Sequence, residues 1–388
     1  MGGGRVYLDH AATSPLRAEA LAAVVEHLSG QDGNPSGGHT EARLARRALD
    51  DARDRVAALL GAEPGEVVFT SGGTEANNLA VFGAWEALGD RGWASPGALV
   101  CTAIEHHAVL RACRALARRT GAELREVRPG KDGVVDPDRL AEACTAEVGL
   151  VSVMTVNNEI GTVQPIAQLS EVVRSRSPQA VLHTDAVQAV PWLDVAVVTA
   201  PADLVAVSAH KFGGPKGIGA LIARDGTRLC AQVHGGGQER ERRSGTQDVA
   251  GAVGMAAALA ATHAGRPGDS ARTTALRDRL ADGLTTTVAG ATETGARVDR
   301  VAGILHLRID GIEGEALVVL LDEAGVAASA GAACSSGAVE PSHVLEALGC
   351  TPGEARSGIR FSLGSSTTDD HIDRALEVVP DAVARLRD

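Results

Sequence analysis

The six cysteines form no CxxC pair; they stand apart at 101, 113, 144, 230, 334 and 350. A structural zinc site or a disulfide framework needs closer spacing, so neither is expected. Scattered thiols suit a reducing compartment, and the expected location is the cytoplasm. No apolar run approaches the roughly 18 residues that a membrane span needs. The opening MGGGRVYLDH lacks the apolar region of a secretion signal and the Ser or Thr of a myristoylation site. Positive charge is in deficit: 37 Lys and Arg against 49 Asp and Glu, a formal net charge of -12. Direct DNA binding or docking on an anionic membrane therefore has no electrostatic basis. The GK[ST] ending of a Walker loop, the GxGxxG of a dinucleotide fold and the HExxH of a zinc protease are also missing. A metal role for His106, His107, His210 and His234 has no spacing to support it.

The chain has 388 residues, 44% of them hydrophobic, enough for two domains with sizeable cores. Short β-branched runs alternate with amphipathic helical patterns. EVVF (66–69), ALVCT (98–102), LVSVMTV (150–156), AVLHTD (180–185), DLVAVS (203–208) and GALIA (219–223) read as strands. Their continuous apolar character predicts burial on both faces. ARLARRALDDARDRVAALLG (42–61) reads as a helix closed by its glycine. This alternation predicts an α/β fold with a mainly parallel sheet. HAGRPGDS (263–270) reads as a connection. A smaller α+β domain is expected beyond it, with a long helix, GILHLRI (303–309), a helix from Glu313 and a last helix after Thr368.

Ligands of open α/β sheets bind beyond the carboxyl ends of the strands. Five strand ends carry polar or ionisable residues: Thr70 to Glu75, then Glu105 to His107, Asn157 to Glu159, Asp185 with Gln188, and His210 with Lys211. TSGGTEANN (70–78) turns a strand into a helix with small residues, and free N–H groups there favour a phosphate. Ser208 and His210 supply two further donors. Asp185 is open to two readings, the cap of a helix or a carboxylate facing a protonated ring nitrogen. Lys211, at the start of KFGGPKGIG, is a candidate Schiff-base lysine if burial near other cations lowers its pKa from about 10.4 toward about 7–8. Phosphate, ring nitrogen and aldehyde together describe pyridoxal 5′-phosphate. His106 is placed to stack on its ring and move protons, while His107 suits a structural role.

With these motifs stand YLDHAAT (7–13), GNPSGGH (33–39), NNEIGT (157–162), GGGQERERRSGT (235–246), GAACSSGAVEPSHVL (331–345) and IRFSLG (359–364). Over nearly its whole length the chain resembles the cysteine desulfurases, the NifS/IscS-like branch of the class V aminotransferases. The resemblance implies pyridoxal-phosphate fold type I: a large domain with a mainly parallel seven-stranded sheet flanked by helices, plus a smaller α+β domain. The large domain would take residues 15–262, and the small one 1–14 and 263–388. The resemblance assigns Lys211 to the cofactor aldehyde, Asp185 to the ring nitrogen, Gln188 to the ring oxygen and His106 to the ring face. Gly73, Thr74, Ser208 and His210 would hold the phosphate. Thr246 would reach the phosphate of a partner subunit, which implies a homodimer. Asn158 and Arg360 would grip the substrate carboxylate, a task suited to the planar fork of an arginine.

Cys334 would carry the reaction. In the implied sequence L-cysteine displaces Lys211, which then takes the α-proton, and His106 gives or receives protons. The Cys334 thiolate attacks the substrate sulfur, leaving alanine and a persulfide for an acceptor protein. The family often has Ser-Ala-Cys-Thr where this chain has Ala332, Ala333, Cys334 and Ser335. IscS-type members carry a further tail that helps dock an iron–sulfur scaffold protein, whereas this chain ends at Asp388, soon after its last helix. The other cysteines are expected in sheet or helix, in structural roles. Rival readings are a selenocysteine lyase, an aminotransferase (which needs no thiol), a non-catalytic sulfur relay and a nicotinamide-dependent dehydrogenase. The acceptor stays open among iron–sulfur assembly, tRNA thiolation, DNA phosphorothioation and a biosynthetic route.

Overall fold

The apolar runs become strands that are covered on both faces. In the computed structural model, residues 5–30, 33–89, 97–330 and 341–388 are described. Cys334 and the rest of 331–340 lie outside them. A short strand β1 (Val6–Tyr7) comes first. The central sheet takes β2 (Val67–Thr70), β3 (Ala98–Thr102), β4 (Glu123–Val127), β5 (Val148–Ser152), β6 (Val181–Asp185), β7 (Leu204–Ser208) and β8 (Gly219–Ala223). Among the described residues their spatial order is β2-β8-β7-β6-β5-β3-β4, seven strands. Only β8 runs antiparallel to its neighbours. Phe69, Val100, Val151, Val205 and Ile222 pack on one face. Val68, Leu99, Leu150, Leu204 and Leu221 pack on the other.

Strand β4 was not expected. Its sequence ELREV buries only Val127, because it lies at the sheet edge, where charged side chains discourage pairing with another chain. The helix expected at 42–61 spans Thr40–Leu59, and Gly61 follows at φ +64°. The stretch 263–270 is not a connection. It lies inside one helix, Val249–Thr287, that carries Pro267 in its interior. Proline costs such a helix one backbone hydrogen bond but leaves the φ it needs.

The second layer of structure has its own sheet, with β9 (Ala291–Glu293), β10 (Ile304–Ile309) and β12 (Gly358–Ser362), while β11 (Val326–Ala327) lies apart from it. Strand β10 is central and antiparallel to β9 and β12. The parallel pair β1–β11 ties the N-terminal residues to this part of the chain. Leu8, Leu284, Leu305, Phe361, Ile372 and Val379 form its separate core. Cys101 and Cys113 are buried in regular elements. Cys230 and Cys350 depart from expectation and sit in irregular segments, and Cys144 caps a helix. Among the described residues no helix is long and apolar enough to cross a membrane.

Because β8 reverses direction, β2 runs parallel to β7. The carboxyl ends of β2, β3, β5, β6 and β7 therefore share one edge, and the residues expected at five strand ends converge there.

Candidate active site

Asp185 is the last residue of β6 and is buried. Its Oδ1 accepts the Val187 amide at 2.9 Å, and its Oδ2 accepts Asn77 Nδ2 at 2.7 Å. The first bond caps a turn, since no helix starts there. The second aims the carboxylate across the strand ends. Asn77 is therefore a site residue that sequence reasoning passed over, although it lies within the quoted TSGGTEANN.

Lys211 closes a single turn, Ala209–Lys211, directly after β7. Its Nζ donates to the carbonyls of Ala11 at 2.6 Å and Ala12 at 2.9 Å. Gln188 Nε2 donates to the same Ala11 carbonyl at 2.8 Å. Burial, with the Arg360 guanidinium adding to it, pushes the lysine from its usual 10.5 down to about 8; Asp185 and Asp9 oppose the shift. The amine thus gains a neutral fraction near physiological pH, which a carbonyl-attacking lysine needs.

A cradle lies beside it. Gly72 (φ +145°) leads into the helix Gly73–Asn78, which continues through Leu79–Gly83 and Ala84–Gly89. Gly73, Thr74, Ser208, His210 and Lys216 line the hollow at this helix start. Close packing makes it: a Cβ on Gly219 would meet the Gly72 backbone at 2.8 Å, and one on Gly73 would meet Val187 Cγ2 at 3.0 Å. His210 Nδ1 lies 3.2 Å from Thr13 Oγ1, and burial pushes its pKa down to about 4, so the ring is neutral.

His106 caps the helix His107–Thr120, and its Nδ1 accepts the Ala108 amide at 3.1 Å. In the neutral ring the proton then sits on Nε2. Burial lowers its pKa, with Asp185 opposing and Lys211 and His343 assisting. His107 turns instead toward His343, with ring centres 4.5 Å apart, as the structural reading expected. Glu105 is wholly buried; its Oε1 accepts Thr102 Oγ1 at 2.8 Å and the Met154 amide at 2.7 Å, and burial pushes its pKa up to about 8.

Arg360, on β12, reaches the same edge. Nη2 donates to Asp9 Oδ1 at 2.8 Å and Nη1 to the Asn158 carbonyl at 2.8 Å, while the buried Nε has no partner among the described residues. Backbone bonds between Ser329 and Arg360 (2.6 and 3.1 Å) and a side-chain bond from Ser342 Oγ to Glu159 Oε2 (2.5 Å) tie down residues on either side of 331–340. Thr246 is exposed and does not line the cradle of its own chain. Sequence reasoning assigns no separate role to residues 9–13. Here they supply the lysine's two carbonyl partners, the arginine's carboxylate and a cradle hydroxyl.

A lysine of lowered pKa, a buried aimed carboxylate and a small-residue phosphate cradle fit pyridoxal 5′-phosphate. The orphan Nε of Arg360 fits an amino-acid carboxylate. Residues 6–375 match the family described as Aminotransferase class-V, a pyridoxal-phosphate family. The chain is 44% identical over 389 residues to an IscS-like cysteine desulfurase of Mycobacterium tuberculosis, covering 98% of this chain and 97% of that protein. It is 40% identical over 382 residues to the cysteine desulfurase IscS of Dictyoglomus turgidum, covering 98% and 95%. A solved structure described as a NifS-like protein superposes with a TM-score of 0.90 at 31% identity, covering 98% of this chain and all of that one. The chain belongs to the class V aminotransferase family, and within it to the cysteine desulfurases of the IscS/NifS type.

Proposed function

We propose that the strand-end residues carry out cysteine desulfuration as follows. Pyridoxal 5′-phosphate would bind with its phosphate on Gly73, Thr74, Ser208 and His210 and its ring over Asp185, with Gln188 at the ring oxygen and Lys211 at the aldehyde. When bound, the cofactor supplies an electron sink for the substrate α-carbon. Arg360 and Asn158 orient the substrate carboxylate of L-cysteine, and Asp9 holds the guanidinium in place. Lys211 would take the substrate α-proton onto Nζ. His106 would face the cofactor ring and give a proton from Nε2. The Cys334 thiolate receives the substrate sulfur and alanine leaves; the persulfide then passes to an acceptor protein.

The observation that carries this reading is the convergence of Lys211, Asp185 and Arg360 from three strands on one edge. Exposure of Thr246 supports a homodimer in which it serves the partner's phosphate. The division into residues 15–262 and 1–14 with 263–388 belongs to the same proposal; two separate apolar cores support it, and the helix Val249–Thr287 spans its boundary. Mass spectrometry after exposure to L-cysteine without reductant tests the chemistry. One added sulfur on the Cys334 peptide, with alanine released, is expected. Alanine without that sulfur would remove Cys334 as carrier, and absence of both in cofactor-loaded protein would overturn the reading.

A further inference from the structure

The segment before Thr246 is exposed yet held in an unusual backbone shape. Glu239, Arg240 and Glu241 have φ of +48°, +57° and +64° in succession. Non-glycine residues avoid this left-handed region, and a run of three persists only when its surroundings impose it. Neighbouring residues 233–237, 240–241 and 245–246 are exposed, so packing does not impose it.

One buried side chain does. The Glu239 carboxylate is enclosed and shared between two donors besides a paired arginine contact. Arg53 Nη2 donates to Oε1 at 2.7 Å and Nη1 to Oε2 at 2.8 Å. Gln247 Nε2 donates to Oε1 at 2.8 Å, and the Phe69 amide donates to Oε2 at 2.9 Å. Phe69 lies on β2, the outer strand of the central sheet, whose next residues form the phosphate turn. Gln247 adjoins Thr246. A second tie runs from Arg243 to Glu75, in the first turn of the cradle helix, at 2.8 Å. Glu239 thus links the strand that feeds the cradle to the residue after Thr246.

We propose that Glu239 is a positioning residue for the shared phosphate contact: by imposing the left-handed run at 239–241 it fixes Thr246 on the face presented to a second copy. This rests on the reading above that Thr246 reaches the phosphate of that copy. Glu239 touches neither substrate nor cofactor and acts through Thr246.

The test uses the cofactor-loaded enzyme and the variants Glu239→Gln, Thr246→Ala and their combination. Gln247→Met, which removes one donor without stranding a charge, serves if Glu239→Gln fails to fold. Hydrogen exchange reports the segment 237–247, and loss of visible absorbance during dilution reports cofactor release. Glu239→Gln is expected to speed exchange across that segment and to speed release about tenfold, the scale of a lost charge-assisted hydrogen bond. Thr246→Ala should speed release to a similar degree, and the combined variant should release no faster than the worse single one, as for residues acting in one unit. Wild-type exchange in Glu239→Gln overturns the proposal, as do effects on release that multiply. A Thr246→Ala enzyme that holds cofactor like the wild type removes the underlying reading instead, and the proposal with it. A merely structural Glu239 would lower the melting temperature and give multiplying effects.

Discussion

Replacing Lys211 by methionine in the cofactor-free protein isolates the cost of burying its charge. The folded-state pKa of about 8 lies below the usual 10.5. Each pKa unit is about 1.4 kcal/mol, so the ammonium costs the fold about 3 kcal/mol at pH 7, as an order of magnitude. The sign follows from proton binding. Between pH 8 and 10.5 the unfolded lysine holds a proton that the folded one has lost, so the lysine protein gains stability as pH rises. Below pH 8 both states are charged and the cost is complete; above 10.5 both are neutral and it vanishes. Methionine carries no such cost, but it gives up the two bonds to the Ala11 and Ala12 carbonyls. That loss, about 0.5–1.5 kcal/mol per bond, offsets the gain. The pH dependence of the difference therefore matters more than its size at one pH. Urea unfolding of both proteins at pH 7, 8.5 and 10.5 should show the variant's relative stability falling by about 3 kcal/mol across the series. A difference that stays flat, or one that grows with pH, would refute the account of Lys211 as a desolvated amine.

Arg360→Lys should raise KM for L-cysteine about 10- to 100-fold with a smaller change in kcat, since a point charge cannot replace the planar fork; steady-state kinetics decides this. Asp185→Asn should cut kcat/KM by at least about tenfold while the fold persists, because the Val187 amide can still donate to its oxygen and a flipped Asn77 can accept from its Nδ2 through Oδ1; circular dichroism alongside the rate checks both halves. Gly219→Ala should destabilise by about 1–3 kcal/mol and loosen cofactor retention, as its Cβ would strike the Val207 carbonyl at 2.7 Å and the Gly72 backbone at 2.8 Å; thermal melts and absorbance report it. Cys334→Ser should leave cofactor binding intact and abolish sulfur uptake on that peptide, read by mass spectrometry.

The buried strands were legible because parallel strands covered on both faces read as unbroken apolar runs. The edge strand Glu123–Val127 was not, since its charged residues carry no such pattern. The helical course of 263–270 was hidden by its glycines and Pro267, punctuation that tertiary packing overrode. At the site, the side chains with chemistry of their own stood out: Lys211, Asp185, His106 and Arg360. Ala11 and Ala12 did not, because they act through carbonyl oxygens that every residue has. Asn77 and Glu239 also escaped notice; each serves by orienting another group, which sequence does not mark.

The pairing of β1 with β11, and of Asp9 with Arg360, has a consequence for synthesis. Arg360 and Ser362, which bond Asp9 and Ala11, follow them by 351 residues in the order of synthesis. Until β12 has appeared, Lys211 lacks ordered carbonyl acceptors and the arginine lacks its place. Such long-range closure is the slow step in chains of high contact order. A nascent chain truncated before Gly358 should therefore display the central sheet without a lysine ready for the aldehyde. The cofactor then meets a completed site only once β12 has been made.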